Sequence, residues 1–167
     1  MKTTLAAVSA ALSILMTAGT AGTFFGFSVG VMPGLDAARA SAAIDAMQGV
    51  NQRIQNPVFL AAFLLAPVAA AAAGVLLLTA GQRSAGLLFL AAAAVYVLGA
   101  LLPTVVVNVP MNNALDVTTI PSDPAEAARV WADYSGRWTT WNTVRTVFSG
   151  AGVLLMALGC YAWGANR

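Results

Sequence analysis

The sequence predicts an all-α fold: a four-transmembrane-helix bundle with an amphipathic segment between helices 1 and 2 and an extended helix 4. Three observations predict it. Apolar residues make up 59% of the chain and charged residues 8%, where soluble domains carry roughly a quarter charged residues. So few charges cannot cover a water-facing surface, so most of the surface must face lipid. Four apolar runs, 5–31, 57–80, 85–107 and 142–164, each reach the ~20 residues that a helix needs to cross a bilayer. Every Asp and Glu falls outside those runs. The whole of 1–167 therefore reads as a single membrane domain, multi-pass and integral to the cell membrane, with the lipid bilayer as its first partner.

Helix 1 starts after Lys2. A signal peptide is the competing reading, with Ala18-Gly19-Thr20-Ala21 as a weak cleavage site, but a signal core is only about 7–15 residues and this run is much longer. Gly22, Gly26, Gly30 and Gly34 recur every four residues behind Ala18. Such a stripe serves close helix–helix packing, including a homo-oligomer through the glycine face, or leaves room for a flat ligand. Pro33-Gly34 ends the run. In the mixed stretch 36–56, Ile44, Met47, Val50 or Asn51, and Ile54 keep helical spacing, which predicts an amphipathic helix on the membrane surface or capping the bundle.

Helices 2 and 3 form an antiparallel hairpin around the short polar turn Gly81-Gln82-Arg83-Ser84. Asn108-Val109-Pro110-Met111-Asn112-Asn113 follows helix 3. Its amides cannot lie against hydrocarbon unpaired, at a cost of several kcal/mol each; they face water, as a polar loop, or the bundle interior. Helix 4 has a strong start: Asp123 as N-cap, Pro124 at the first position and Glu126 at the third. If continuous to Trp163 it is about 60 Å long, twice the hydrocarbon thickness, with Ser135-Gly136 as a place to bend.

Several functions are excluded or discounted. The net charge of +2 comes from scattered arginines, not a basic run, so nucleic acid is not expected. One cysteine, Cys160, allows no intrachain disulfide. With no histidine, His-ligated haem, iron, zinc and copper sites are not expected, and neither a metal nor a cofactor is called for. Ion-coupled transport is discounted because no carboxylate lies within the spans.

The stretch Trp131–Arg145 carries the chemistry. In a helix, Trp131, Tyr134, Trp138, Asn142 and Arg145 share one stripe, at steps of three and four. Interfacial anchoring accounts for tryptophans singly, but Asn142 has no reason to meet lipid, and intramembrane arginine usually faces the bundle interior. With Asn51, Arg53, Asn108 and Asn112 at the same end, Arg145 completes a polar pocket over an apolar shaft.

The Asn108-Val109-Pro110-x-Asn112 and Trp138-x-x-Trp141-Asn142-x-x-Arg145 pieces, after a glycine-rich first helix and an Asn51 segment, resemble the anthrone oxygenase-like family of membrane proteins. The resemblance covers nearly the whole chain. It implies an oxygen-dependent oxidation of an anthrone-like, flat, phenolic, lipophilic aromatic small molecule without a cofactor. On that reading Arg145 holds the enolate oxygen, Asn142, Asn108, Asn112 and Asn51 complete the polar contacts, Trp138 and Trp141 stack on the rings, and Tyr134 is the remaining proton acceptor. The alternative is a non-enzymatic small membrane protein that binds a lipid or quinone, or an accessory subunit.

Overall fold

The computed structural model describes residues 2–165. Among these, every regular element is helical. Five helices carry the fold: α1 (Lys2–Asp36), α2 (Ala40–Ile54), α3 (Pro57–Thr79), α4 (Arg83–Asp116) and α5 (Pro124–Ala165). All but α2 are long and apolar enough to cross a membrane, so the chain is a multi-pass membrane bundle. The four long helices make the bundle. The shorter α2 lies against α5 and the end of α4, as a cap over one mouth.

Two helices run further than the apolar runs imply. Pro33-Gly34 does not end α1, which continues to Asp36. Asn108–Asn113 is not a loop: α4 carries it as helix to Asp116. The physical reason lies in the prolines. A proline inside a helix lacks an N–H and its ring crowds the carbonyl four residues back. The residues four before Pro33, Pro103 and Pro110 are Val29, Gly99 and Val106. Each sits at the centre of a five-residue π-helical turn: Phe27–Val31, Val97–Leu101 and Thr104–Asn108. The wider turn makes room for the ring, so the helix widens instead of stopping.

Pro67 of α3 is accommodated differently. It leaves the carbonyl of Phe63 without its usual N–H donor, and the buried Tyr96 hydroxyl of α4 donates to that carbonyl at 3.2 Å. The same hydroxyl lies 3.2 Å from Thr20 Oγ1 of α1. Three helices thus meet at one phenol, amid a core of Phe24, Phe63, Ala66 and Ala100.

Two helix backbones approach closely in the hairpin. A Cβ added to Gly74 would lie 2.9 Å from the Gly86 carbonyl oxygen, and one on Gly86 2.8 Å from that of Gly74. The turn between the two helices contains Gly81 at φ +80°, a left-handed conformation that glycine adopts at little cost. By contrast, a Cβ on Gly22, Gly26, Gly30 or Gly34 meets nothing within 4 Å. The glycine stripe of α1 therefore meets no neighbour in its own bundle, and the close packing inside the chain is at Gly74 and Gly86.

Helix α5 runs unbroken through Ser135 and Gly136 for 42 residues, about 63 Å at ~1.5 Å per residue. Its start follows the sequence rule: Asp123 Oδ1 accepts from the Ala125 N–H at 3.3 Å, with Pro124 at the first position. The lower two thirds pack in the bundle. The first third stands above it and presents Ala127, Trp131, Tyr134 and Trp138 to a second apolar core with Met32, Ile44, Met47 and Leu115. This upper core places α2 over the bundle mouth.

Candidate functional site

Below α2, between α1, α3, α4 and α5, lies a cavity of about 230 Å3. Aromatic and aliphatic side chains, among them Phe24, Phe27, Phe59, Phe63 and Leu101, make most of its wall. Its polar groups are Asn51, Asn108, Asn112, Asn142 and Arg145, with Thr23, Gln55 and Thr104. All three π turns contribute to this wall, through Phe27, Leu101, Thr104 and Asn108. The prolines that widen the helices thus also shape the hollow between them.

Arg145 is the centre of the polar end. It is 5% exposed, yet no carboxylate pairs with it among the described residues. Its Nη1 donates to Thr104 Oγ1 at 3.0 Å and its Nη2 to Asn142 Oδ1 at 2.8 Å. The guanidinium lies 4.4 Å from the Phe24 ring centroid and 5.4 Å from that of Trp138, so two π faces partly offset its charge. Asn142 is anchored from the other side: its Nδ2 donates to the Phe24 carbonyl at 2.6 Å and to Ser28 Oγ at 2.7 Å. Asn142 is therefore a fixed bracket that aims the guanidinium.

Three buried polar atoms of this set have no partner: Arg145 Nε, Asn108 Oδ1 and Asn51 Oδ1. Asn108 gives its Nδ2 to the Trp138 carbonyl at 3.3 Å, and Asn51 gives its Nδ2 to Asp116 Oδ1 at 3.0 Å. Both partners can only accept, which fixes the amide orientation and leaves the two oxygens unpaired. A buried polar atom without a partner costs about 1–3 kcal/mol. The unpaired set is one cationic donor and two carbonyl acceptors.

Asn112 has a different task. Its single Oδ1 accepts from Trp138 Nε1 at 2.7 Å and from the Tyr134 hydroxyl at 2.9 Å. Tyr134 stacks on Trp138 with centroids 6.3 Å apart, and Trp131 follows at 5.7 Å from Tyr134. At the top, Trp131 Nε1 and Ser135 Oγ both donate to Asp36 Oδ1 at 2.8 Å. The aromatic ladder is pinned at each end, and its lowest ring, Trp138, walls the cavity.

Of the residues expected at the site, the structure brings together Asn51, Asn108, Asn112, Trp138, Asn142 and Arg145. It does not bring in Tyr134, whose hydroxyl donates to Asn112 and which does not line the cavity. Nor does Trp141 line it; half-buried, it lies outside the aromatic ladder. Arg53 is exposed and belongs to a shallow surface depression with Asp45 and Gly49. Sequence reasoning notes Phe24 only as a neighbour of the glycine stripe, for packing or a flat ligand, and misses Thr104; these are the two groups in direct contact with the guanidinium outside its own helix. It also missed Asp116, the carboxylate that orients Asn51. Phe24 carries a usable signal, since its carbonyl and ring fall on the face of α1 opposite the glycines; the other two carry none.

No curated protein and no solved structure matches the chain. The family model described as anthrone oxygenase matches residues 52–155. That range holds every polar group of the cavity on α4 and α5, and it stops one residue short of Asn51. More than half of the sequence is covered, and the chain belongs to the anthrone oxygenase family.

Proposed function

We propose that the protein is a membrane oxygenase of the cell membrane that oxidises a flat, acidic, lipid-soluble phenolic or anthrone-like compound with molecular oxygen, and that its own residues bind, orient and stabilise charge. The observation that carries this reading is Arg145: a buried cation with no carboxylate partner among the described residues, its Nε unpaired and its side chain lining a cavity walled by aromatic rings. A buried charge is retained only where something neutralises it, and an ionised oxygen on an aromatic ligand answers it. Asn108 and Asn51 complete the polar end of the cavity around that oxygen, and Trp138 and Phe24 cover the rings.

The chemistry needs no electron source beyond the substrate. An anthrone ionises in the water of the interface, giving up a proton from its CH2 carbon, and the anion binds with its oxygen on Arg145. One electron passes from the anion to O2, and the two radicals join at carbon. The resulting C–O–O⁻ group then breaks its O–O bond. The departing oxygen leaves as hydroxide with the remaining hydrogen of that carbon, and a C=O remains. Anion plus O2 thus gives ketone plus hydroxide. Arg145 stabilises the anion and the developing charge, which is the kind of preorganised electrostatic help worth several kcal/mol in a dry site. Tyr134 takes no proton in this scheme; it holds Asn112.

The test is oxygen consumption and quinone formation from an anthrone by purified protein in nanodiscs, after treatment with chelator. Turnover that is lost in Arg145→Ala is the expected result. An unchanged rate in that variant overturns the role of Arg145. A second reading, a non-catalytic binder of a quinone or similar lipid, is favoured by the position of Tyr134, because among the described residues no carboxylate, amine or phenol that could act as a base lines the cavity. Saturable binding without product would select it.

A further inference from the structure

The cavity is unevenly enclosed. Its polar end is buried, but Leu60, Leu64, Val105 and Val109 line the same space and are 38%, 49%, 59% and 41% exposed. Leu60 and Leu64 stand one turn apart on α3; Val105 and Val109 stand one turn apart on α4. They are two facing apolar rims of a slot. The hairpin is pressed backbone to backbone at Gly74 and Gly86, near its turn. Towards the cavity end α3 keeps little contact with 97–116, and the π turns widen α4 where it parts from α3.

The slot also lies at a telling depth. Val105 is about 33 Å along α4 from the hairpin turn at ~1.5 Å per residue, and Leu64 is about 22 Å along α3 from its end at the same turn. The hydrocarbon core is about 30 Å thick. The rims therefore open into the outer layer of acyl chain and the headgroup boundary, not into water. Among the described residues no charged side chain lines the cavity except Arg145, on the far wall. A mouth that took its ligand from water would have to wet four aliphatic side chains first.

We propose that the ligand enters and leaves sideways from the bilayer, through the slot between Leu60–Leu64 and Val105–Val109, with its ionised oxygen leading towards Arg145. The occupant is a single membrane-dissolved, ring-bearing anion; a cavity of about 230 Å3 has no room for a two-chain lipid. This inference rests on the anion-binding reading of Arg145. It adds the route, and with it a selection: compounds that partition to the interface with their rings in hydrocarbon reach the site, and equally acidic water-soluble phenols do not.

The route is tested by closing the slot reversibly. Leu64→Cys and Val105→Cys are combined on a Cys160→Ser background, which removes the chain's own thiol. A bismaleimide with a reducible spacer bridges the pair in nanodiscs, and the association rate of anthrone added in lipid vesicles is followed by its fluorescence. The bridged protein is expected to bind at least tenfold more slowly, and to recover when the spacer is reduced. A rate that bridging leaves unchanged, while Arg145→Ala still loses binding, overturns the lateral route and spares the anion site. Equal binding by Arg145→Ala and its parent overturns both. A second measurement covers a double variant that fails to fold. In lipids with brominated chains, the Trp138 contribution to fluorescence, taken as wild type minus Trp138→Phe, should lose at least half its intensity. No loss shows a slot closed to acyl chains and overturns the proposal.

Discussion

Arg145 gives one guanidinium nitrogen to Asn142 at 2.8 Å and lies 4.4 Å above the ring of Phe24, while its Nε meets nothing. An arginine kept for stability would be paired at every nitrogen. This one is held by a neutral amide, a hydroxyl and two rings, which aim it without neutralising it. The cost of desolvating a cation is several kcal/mol, so function and stability should part company here. Arg145→Met is expected to unfold no earlier than the wild type in a thermal melt, because an apolar chain of similar reach replaces an incompletely paired charge. The same variant should bind an anthrone enolate ten- to hundredfold more weakly, the loss of charge-assisted hydrogen bonds worth about 1.5–3 kcal/mol. A melting point that falls by more than a few degrees would mark Arg145 as a structural residue.

Tyr134 separates a chemical role from a positioning one. Its hydroxyl and the Trp138 indole share Asn112 Oδ1. Tyr134→Phe removes one of the two donors and leaves the amide held by the other. The expected result is a fall in turnover of less than tenfold, with the larger effect on KM, as a slightly loosened Trp138 receives the rings. A proton acceptor at this position would contribute about 10²–10⁴-fold, so a loss of that size in kcat at unchanged KM would restore the phenol to the reaction itself. Asn112→Leu should be worse than Tyr134→Phe in both quantities, since it strands the indole and the hydroxyl together.

Much of this arrangement was legible before any coordinates, and the division has physical causes. The stripe of Trp131, Tyr134, Trp138, Asn142 and Arg145 is a property of one helix, and helical periodicity alone puts those side chains on one face. Asn51, Asn108 and Asn112 were legible because amides between apolar runs must find a partner. What stayed hidden depended on a second helix. Thr104 looks like any hydroxyl after a proline until α4 widens and turns it towards Arg145. The Asn108 segment looks like a loop because three asparagines surround Pro110; only the π turns let α4 continue. The glycine stripe of α1 shows a different limit. Periodicity identifies a smooth face but is silent about which neighbour, if any, covers it.

Tyr96 and Pro67 make a pair whose coupling can be measured. Pro67 deprives the Phe63 carbonyl of its helical donor and Tyr96 supplies one. Tyr96→Phe should therefore leave a carbonyl unsatisfied in the apolar interior and cost about 1–3 kcal/mol, with earlier unfolding in denaturant. Pro67→Ala restores an N–H at the right place. In the Pro67→Ala background, Tyr96→Phe should cost less by about 1 kcal/mol or more, a positive coupling energy in a double-mutant cycle. Additive effects would mean that the hydroxyl answers Thr20 and not the carbonyl.

The two glycine patterns are expected to respond in opposite ways to the same substitution. At Gly74 a Cβ would already lie 2.8 Å from Leu90 Cγ and 2.9 Å from the Gly86 oxygen, and backbone cannot move aside as a side-chain tip can. Gly74→Leu should force α3 and α4 apart and cost several kcal/mol, by the overpacking that dense interiors resist. At Gly26 a Cβ would meet nothing within 4 Å. Gly26→Leu should leave the fold intact, and a helix interior gains about 0.5–1 kcal/mol when a side chain replaces glycine. Thermal melts of both variants in detergent decide the point: a large drop for Gly74→Leu with none for Gly26→Leu is expected. An equal drop in both would place a neighbour against the outer stripe of α1, and crosslinking of the wild type in nanodiscs would then show whether that neighbour is a second copy of the chain.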